Sequence, residues 1–262
     1  MMRLRQLKYT LLYALLGVAA LAGIAGAAEQ ALVAAAFSTA SPGTTLPAGW
    51  TPLEPPNIQM RTRYALVDDG GVTVVRADSV AGASGLSRQM HVSPMEYPWL
   101  NWRWKINNLI EQADLRTKAG DDFPARLYVM FDYPLEKLSF FERSKLQLAR
   151  ALFDPGLPAA TLCYVWDNKA PAGTVTSSAY TSRVKLIVVE SGAARVKQWV
   201  DFERNIARDF EAAFGDTAPT VSAIAIVTDT DNTGAAATTF FGDISFNKQR
   251  LTKKIPVDNK VR

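Results

Sequence analysis

Two reactive residue types are almost missing from this chain of 262 residues, which has one cysteine, Cys163, and one histidine, His91. A lone thiol cannot close an intrachain disulfide. Its place inside the apolar run Leu162 to Trp166 marks it as a small buried hydrophobe rather than a nucleophile. A single imidazole cannot build a multi-histidine metal site, and any Ser-His or Cys-His scheme would have to use His91. Long apolar runs are scarce as well. Outside Leu11 to Ile24, no segment approaches the ~20 residues that span a bilayer. Basic surplus is missing where it would matter. The net charge is +4, but the first residues carry three bases and no acid, and the tail from Asn247 carries six bases against Asp258. The body between them is therefore acidic, at about −4, and nucleic acid is not an expected partner.

The N-terminus has the order of a secretory signal peptide: basic Arg3, Arg5 and Lys8, the apolar stretch Leu11 to Ile24, then small residues with Ala25-x-Ala27 as a cleavage site. No cysteine follows the apolar stretch, which excludes a lipid-modified end. The expected organisation is a signal peptide over 1–27, a lead-in segment over 28–60, a β-sandwich domain over 61–246 and a basic tail over 247–262. The expected location is periplasmic or secreted, with no integral membrane segment after cleavage.

Alternating and continuous apolar runs predict strands. They fall at Tyr64 to Val67 and Val72 to Arg76, joined through Asp68-Asp69-Gly70-Gly71 as a hairpin, and at Arg88 to Val92 after a turn over Gly82 to Gly85. Trp99 to Ile106 sets Leu100, Trp102, Trp104 and Ile106 on one face, with Asn101, Arg103 and Lys105 on the other. Leu127 to Phe131 follows the polar loop Lys118 to Arg126. Further strands are expected at Leu162 to Trp166, Val184 to Glu190, Val221 to Val227 and Thr239 to Phe246. If Leu127 to Phe131 pairs beside Trp99 to Ile106, Arg103 and Arg126 share a surface. Helical spacing predicts two packed helices, over Leu135 to Phe153 and over Gln198 to Phe214, the second ended by Gly215. The fold class is mostly β, a jelly-roll-like β-sandwich with two helices outside it.

The loop Asp229-Thr230-Asp231-Asn232-Thr233-Gly234 between the last two strands collects two carboxylates, an amide and two hydroxyls. A strand end can aim such oxygens at one point, although the same residues also make ordinary turns. With these segments in place the chain resembles a bacterial exported family named domain of unknown function 3047. The resemblance runs over roughly residues 50 to 246, in Leu100-Asn101-Trp102-Arg103-Trp104-Lys105, Thr117 to Val129, Tyr164-Val165-Trp166, Arg204-Asn205 with Asp209, Thr228 to Gly234, and Phe241-Gly242-Asp243-Ile244. Such a family implies export and one domain, and no assigned activity. A more distant likeness, to jelly-roll domains that bind sugars, implies a sandwich fold by analogy.

Three kinds of chemistry suit these residues. Glycoside hydrolysis would need two of Asp121, Asp122, Asp229, Asp231 and Asp243 facing across a cleft. Calcium would suit the oxygens of Asp229 and Asp231, with no other cofactor expected. A binding surface would use Arg103, Arg126, Tyr128 and Trp166, flanked by Lys118, Asp121, Asp122, Asp229, Asp231, Asn232 and Asp243, since arginine forks beside aromatic faces suit sugars. The bland alternative pairs the arginines with the aspartates to tie loops to the sheet. The reading that follows is a non-catalytic binder of an envelope or extracellular glycan. A glycan hydrolase and a structural envelope protein without a small ligand are the alternatives.

Overall fold

A computed structural model describes residues 31–152 and 157–251. The expected signal peptide and the basic tail beyond residue 251 lie outside the described residues. Thirteen strands run in order: β1 (Leu32–Ala35), β2 (Thr51–Leu53), β3 (Arg63–Asp68), β4 (Thr73–Val80), β5 (Ala83–Val92), β6 (Trp99–Ile106), β7 (Arg126–Phe131), β8 (Ala160–Asp167), β9 (Val175–Ser177), β10 (Val184–Ser191), β11 (Val200–Asn205), β12 (Val221–Asp229) and β13 (Ala236–Asn247). Among the described residues two helices accompany them, α1 (Phe140–Leu152) and α2 (Ile206–Phe214).

The strands form two sheets. The first has the order β11-β6-β13-β4-β3, with β1 also paired to β13, and the second the order β2-β5-β12-β7-β8-β10-β9. Neighbours are antiparallel except β8 and β10. The apolar faces meet in a core whose centre is aromatic: Trp102 packs on Trp104, Tyr164 and Phe202 with ring centroids 5.0–5.6 Å apart. The protein is thus a mostly β, jelly-roll-like sandwich carrying two helices. Among the described residues no helix is long and apolar enough to cross a membrane.

Several segments depart from the sequence reading. The stretch taken as a lead-in supplies β1 and β2 and buries Phe37 and Trp50 against each other at 5.4 Å, so the sandwich begins well before residue 61. β5 starts at Ala83 rather than Arg88. The preceding turn is made by Ala81, at φ 45°, while Gly85 lies within the strand, paired with Val227, where a Cβ would come 2.6 Å from Val227 Cγ2. The helix expected over Leu135 to Phe153 begins at Phe140, after a 3-10 turn over Leu135–Lys137. Ser139 and Glu142 close a capping box at its start, each side chain accepting from the other's backbone N–H.

The largest departure is at Gln198 to Phe214, where only the second half is helical. Val200 and Phe202 alternate as well as they fit a helix, and as β11 they pair along β6 and set Phe202 on Trp102 at 5.1 Å, nearly parallel. Ring contacts of this kind add about 0.5–1.5 kcal/mol beyond area burial, enough to outweigh a weak local preference. Asn205 then caps α2, accepting from Arg208 N–H, and Gly215 ends it in the left-handed region at φ 71°.

β6 and β7 lie in different sheets. Arg103 and Arg126 therefore point from the outer faces of opposite sheets and share no surface, because the pairing assumed for them does not occur.

Candidate functional site

The residues singled out in the sequence divide between two places. The first is a rim where the β6–β7 loop meets the β12–β13 loop. Thr117 caps a 3-10 turn over Lys118–Gly120, and the turn delivers Asp121 and Asp122 into the protein. Asp122 is fully buried. Its carboxylate accepts from Asn232 N, Asn232 Nδ2, Thr233 N and Thr233 Oγ1 at 2.6–3.2 Å, which shapes the loop after β12.

Asp229, the last residue of β12, accepts from Phe123 N at 3.1 Å and from Arg126 Nε and Nη2 at 2.8 and 2.5 Å. Arg126 is 2% exposed. It stacks 4.3 Å from the Phe123 ring, donates to the Asp121 carbonyl, and lies 3.5 Å from Asp121 Oδ2. Burial pushes the Asp229 carboxyl up to about 7 against the pull of Arg126, and Asp122 and Asp121 add to the rise. Burial also raises Asp231, with Asp122 reinforcing it. The rim's outer edge holds Tyr180, whose hydroxyl donates to Asn232 Oδ1 at 2.8 Å and whose ring lies 5.2 Å from Lys118 Nζ.

The second place is the outer face of the β11-β6-β13 sheet. There β13 bulges at Gly242 and Asp243, opposite Arg103. A Cβ on Gly242 would come within 2.6 Å of Arg103 Cγ, so only glycine leaves room for that side chain to lie across the bulge. Its guanidinium is 4.4 Å from the Trp199 ring and donates to no acceptor among the described residues. Trp199 is itself fixed, its indole N–H donating to Asp69 Oδ2 at 2.7 Å, while Lys105 Nζ holds the same carboxylate at 2.7 Å. The Lys105 hydrogen bond keeps the Asp69 carboxyl below its usual range. A groove of about 800 Å³ lies beside Arg103, lined among others by Asn101, Asp201, Glu203, Asp243 and Ser245. Asp243 accepts from Ser38 N and Oγ at 2.9 and 2.5 Å, and Glu203 is held by Arg250 and Asn101.

The expectation of one polar site is therefore corrected. Lys118, Asp121, Asp122, Arg126, Asp229, Asp231 and Asn232 gather at the rim, whereas Arg103 and Asp243 sit on the opposite sheet. Trp166 is wholly buried in the core between the sheets and donates its indole N–H to Gly192 O at 3.1 Å, so it presents no face to a ligand. Tyr128 packs with Phe123 and Cys163 in a small apolar cluster under the rim. Cys163 is buried and its thiol is pushed up to about 12 by burial. Trp199, Asp201, Glu203, Asp69 and Tyr180 were not picked out beforehand. The alternation Val200-Asp201-Phe202-Glu203 was the signal for two of them, masked by helical spacing.

Fold and site together define a two-sheet β-sandwich with a groove on one outer face and a carboxylate-rich rim on the other sheet. The chain belongs to the family described as "Protein of unknown function (DUF3047)", whose model matches residues 48–245. No curated protein matches it. Among solved structures it is similar to the cellulose induced protein Cip1, at 12% identity and a TM-score of 0.37, covering 77% of this chain and 92% of that one. It is also similar to the Spr0440 glycoside hydrolase domain, Endo-D, from Streptococcus pneumoniae R6, at 10% identity and a TM-score of 0.32, covering 77% of this chain but 22% of that one. At these TM-scores neither likeness bears on function.

Proposed function

We propose that the protein is an exported, non-catalytic glycan binder whose ligand lies in the groove beside Arg103. One observation carries this reading: a guanidinium stacked on a fixed indole, laid across a glycine bulge, with no acceptor for its N–H groups among the described residues. An arginine that only stabilised the sheet would be paired. One held rigid, with no acceptor among the described residues, is set for an incoming acceptor, at little ordering cost on binding. Around it, carboxylates, an amide and a hydroxyl offer the mixed donors and acceptors that a sugar's hydroxyls need, and the groove falls in the ~300–1,000 Å³ range of small-ligand sites. Export rests on the order of basic, apolar and small residues at the N-terminus.

The rim carboxylates suit hydrolysis poorly. Asp122 and Asp229 have their oxygens engaged by backbone, amide, hydroxyl and guanidinium donors, so neither is a carboxylic acid poised across a cleft. The test is calorimetric titration of the full chain and its Arg103→Ala variant with a panel of neutral and acidic oligosaccharides. Binding that drops at least tenfold in the variant, with no reducing ends released, supports the reading. An absence of binding across the panel, or binding indifferent to Arg103→Ala, overturns it, and release of sugar would make the protein a hydrolase.

A further inference from the structure

A helix lying on a globular protein buries its apolar stripe and shows its charges to water. Helix α1 largely inverts that order. Phe140 is 87% exposed, Phe141 66% and Leu148 61%, and with the exposed Ser144 and Ala151 they make one outward strip, since residues three and four apart share a helix face. The inner face sets Leu146 beside the half-buried Glu142, Arg143 and Arg150. These charged side chains are spent on the protein: Arg143 Nε donates to Leu135 O at 3.0 Å, Arg150 Nε donates to Leu157 O at 2.9 Å, and Glu142 accepts from Ser139 Oγ at 2.8 Å. We propose that α1 is a peripheral docking element whose Phe140–Phe141 strip enters the surface of a bilayer that carries anionic lipid.

Charge complementarity selects this partner. From Leu135 to Leu152 the acids are Glu136 and Glu142, against Lys137, Arg143, Lys145 and Arg150, and Lys137 is taken by Asp216 at 2.8 Å. Arg183, 3.7 Å from Glu142, and Lys185, whose charge also reaches that carboxylate, add two more bases beside the helix. The body of the chain is acidic, so this end is a basic spot on a negative protein and would be the one turned toward an anionic surface. Lys145 Nζ lies 4.2 Å from the Phe141 ring. That sets a cation at the border of the apolar strip, where lipid phosphates stand when aromatic rings enter the acyl boundary.

A bilayer answers both features at once. Its interface deforms around a convex ridge without needing a matching groove, and its phosphates supply acceptors for the bases. Two phenyl rings and a leucine side chain left in water stabilise nothing, whereas their removal from water is favourable. The contact is peripheral, because α1 has 13 residues and a span needs ~20. The helix packs by Leu146 against Leu138 and Ala159, next to β8 of the second sheet, so the docking element is separate from the groove and does not depend on what the groove binds.

The experiment uses the full chain carrying Ser144→Cys, labelled there with an environment-sensitive dye. Cys163 is buried, so the introduced thiol alone reacts. In vesicles of phosphatidylglycerol and phosphatidylcholine the dye should shift to the blue and be quenched by nitroxide-labelled lipid, and both signals should fade in phosphatidylcholine alone or in high salt. Reading at position 144 separates α1 from any lipid contact of the apolar segment Leu11 to Ile24. Phe140→Ser combined with Phe141→Ser should weaken the vesicle affinity read by the dye by roughly tenfold or more, at an unchanged melting temperature because both rings are exposed, and Lys145→Gln should weaken it several-fold. Arg103→Ala should leave the signal intact, which separates failure of this proposal from failure of the groove. A dye that anionic vesicles neither shift nor quench overturns the proposal. So does a signal indifferent to the paired Phe substitutions. A dimer seen by sedimentation velocity without lipid, and abolished by the same substitutions, overturns it in favour of a second copy of the chain.

Discussion

Two arginines in this protein rest on aromatic rings at nearly the same distance, 4.3 Å for Arg126 on Phe123 and 4.4 Å for Arg103 on Trp199, and they do opposite things. Arg126 is buried, and its fork is taken up by the Asp229 carboxylate and the Asp121 carbonyl. Arg103 is only half-buried and donates to no acceptor among the described residues. The ring fixes the guanidinium plane in both cases. On the proposed reading, what separates a structural arginine from a recognition arginine is whether the protein itself supplies the acceptors. A buried fork without them would be costly, whereas an open one keeps its water until a ligand replaces it.

The sharpest way to break this comparison is to remove each fork in turn. Arg126→Met leaves Asp229 buried without its partner and should destabilise the fold by roughly 3–5 kcal/mol, read from urea unfolding at neutral pH. Arg103→Ala strands no buried charge, so its cost should stay within about 1 kcal/mol, while glycan binding falls at least tenfold by calorimetry. Equal destabilisation by the two would erase the distinction.

Smaller changes sharpen it. Gly242→Ala forces the Arg103 stem off the bulge, and binding should weaken several-fold with the core intact, as read by calorimetry beside near-ultraviolet circular dichroism. The weakest effect concerns the support under Trp199. Because Lys105 holds the Asp69 carboxyl below its ordinary value of about 3.9, that contact stabilises the fold above this pH and is lost as pH falls through the depressed value. Lys105→Met should therefore flatten the acid limb of a melting-temperature profile below about pH 4. A profile unchanged by the substitution would mean that the Asp69 pair does not steady the shelf.

Outside the comparison, native-state thiol labelling should leave Cys163 unmodified, since the side chain is wholly buried. Mass spectrometry of protein from the envelope fraction should find the N-terminus near Ala28.

Much of the strand pattern was legible because period-two burial is a local property. β6 reads off Trp99–Ile106 with its buried face correct, and the β3–β4 hairpin follows from Asp-Gly chemistry in its turn. The rim was legible in part, because Asp121, Asp122, Asp229, Asp231 and Asn232 cluster in two short loops that end next to adjacent strands of one sheet, β7 and β12. The groove was not. Its members come from β6, β11, β13 and the segment after β13, and β11 was hidden by apolar spacing that fits either period.

By itself, then, the sequence determined the β-sandwich class, the buried thiol and the acidic loop, all of which depend on composition or on neighbours a few residues apart. Tertiary structure alone decided that Arg103 and Arg126 face away from each other, that Trp166 is core, and that Val200–Asn205 is a strand. Each of these turns on which strands pair, and pairing is chosen by the summed burial of two sheets and the stacking of Phe202 on Trp102, a long-range energy that no local window contains.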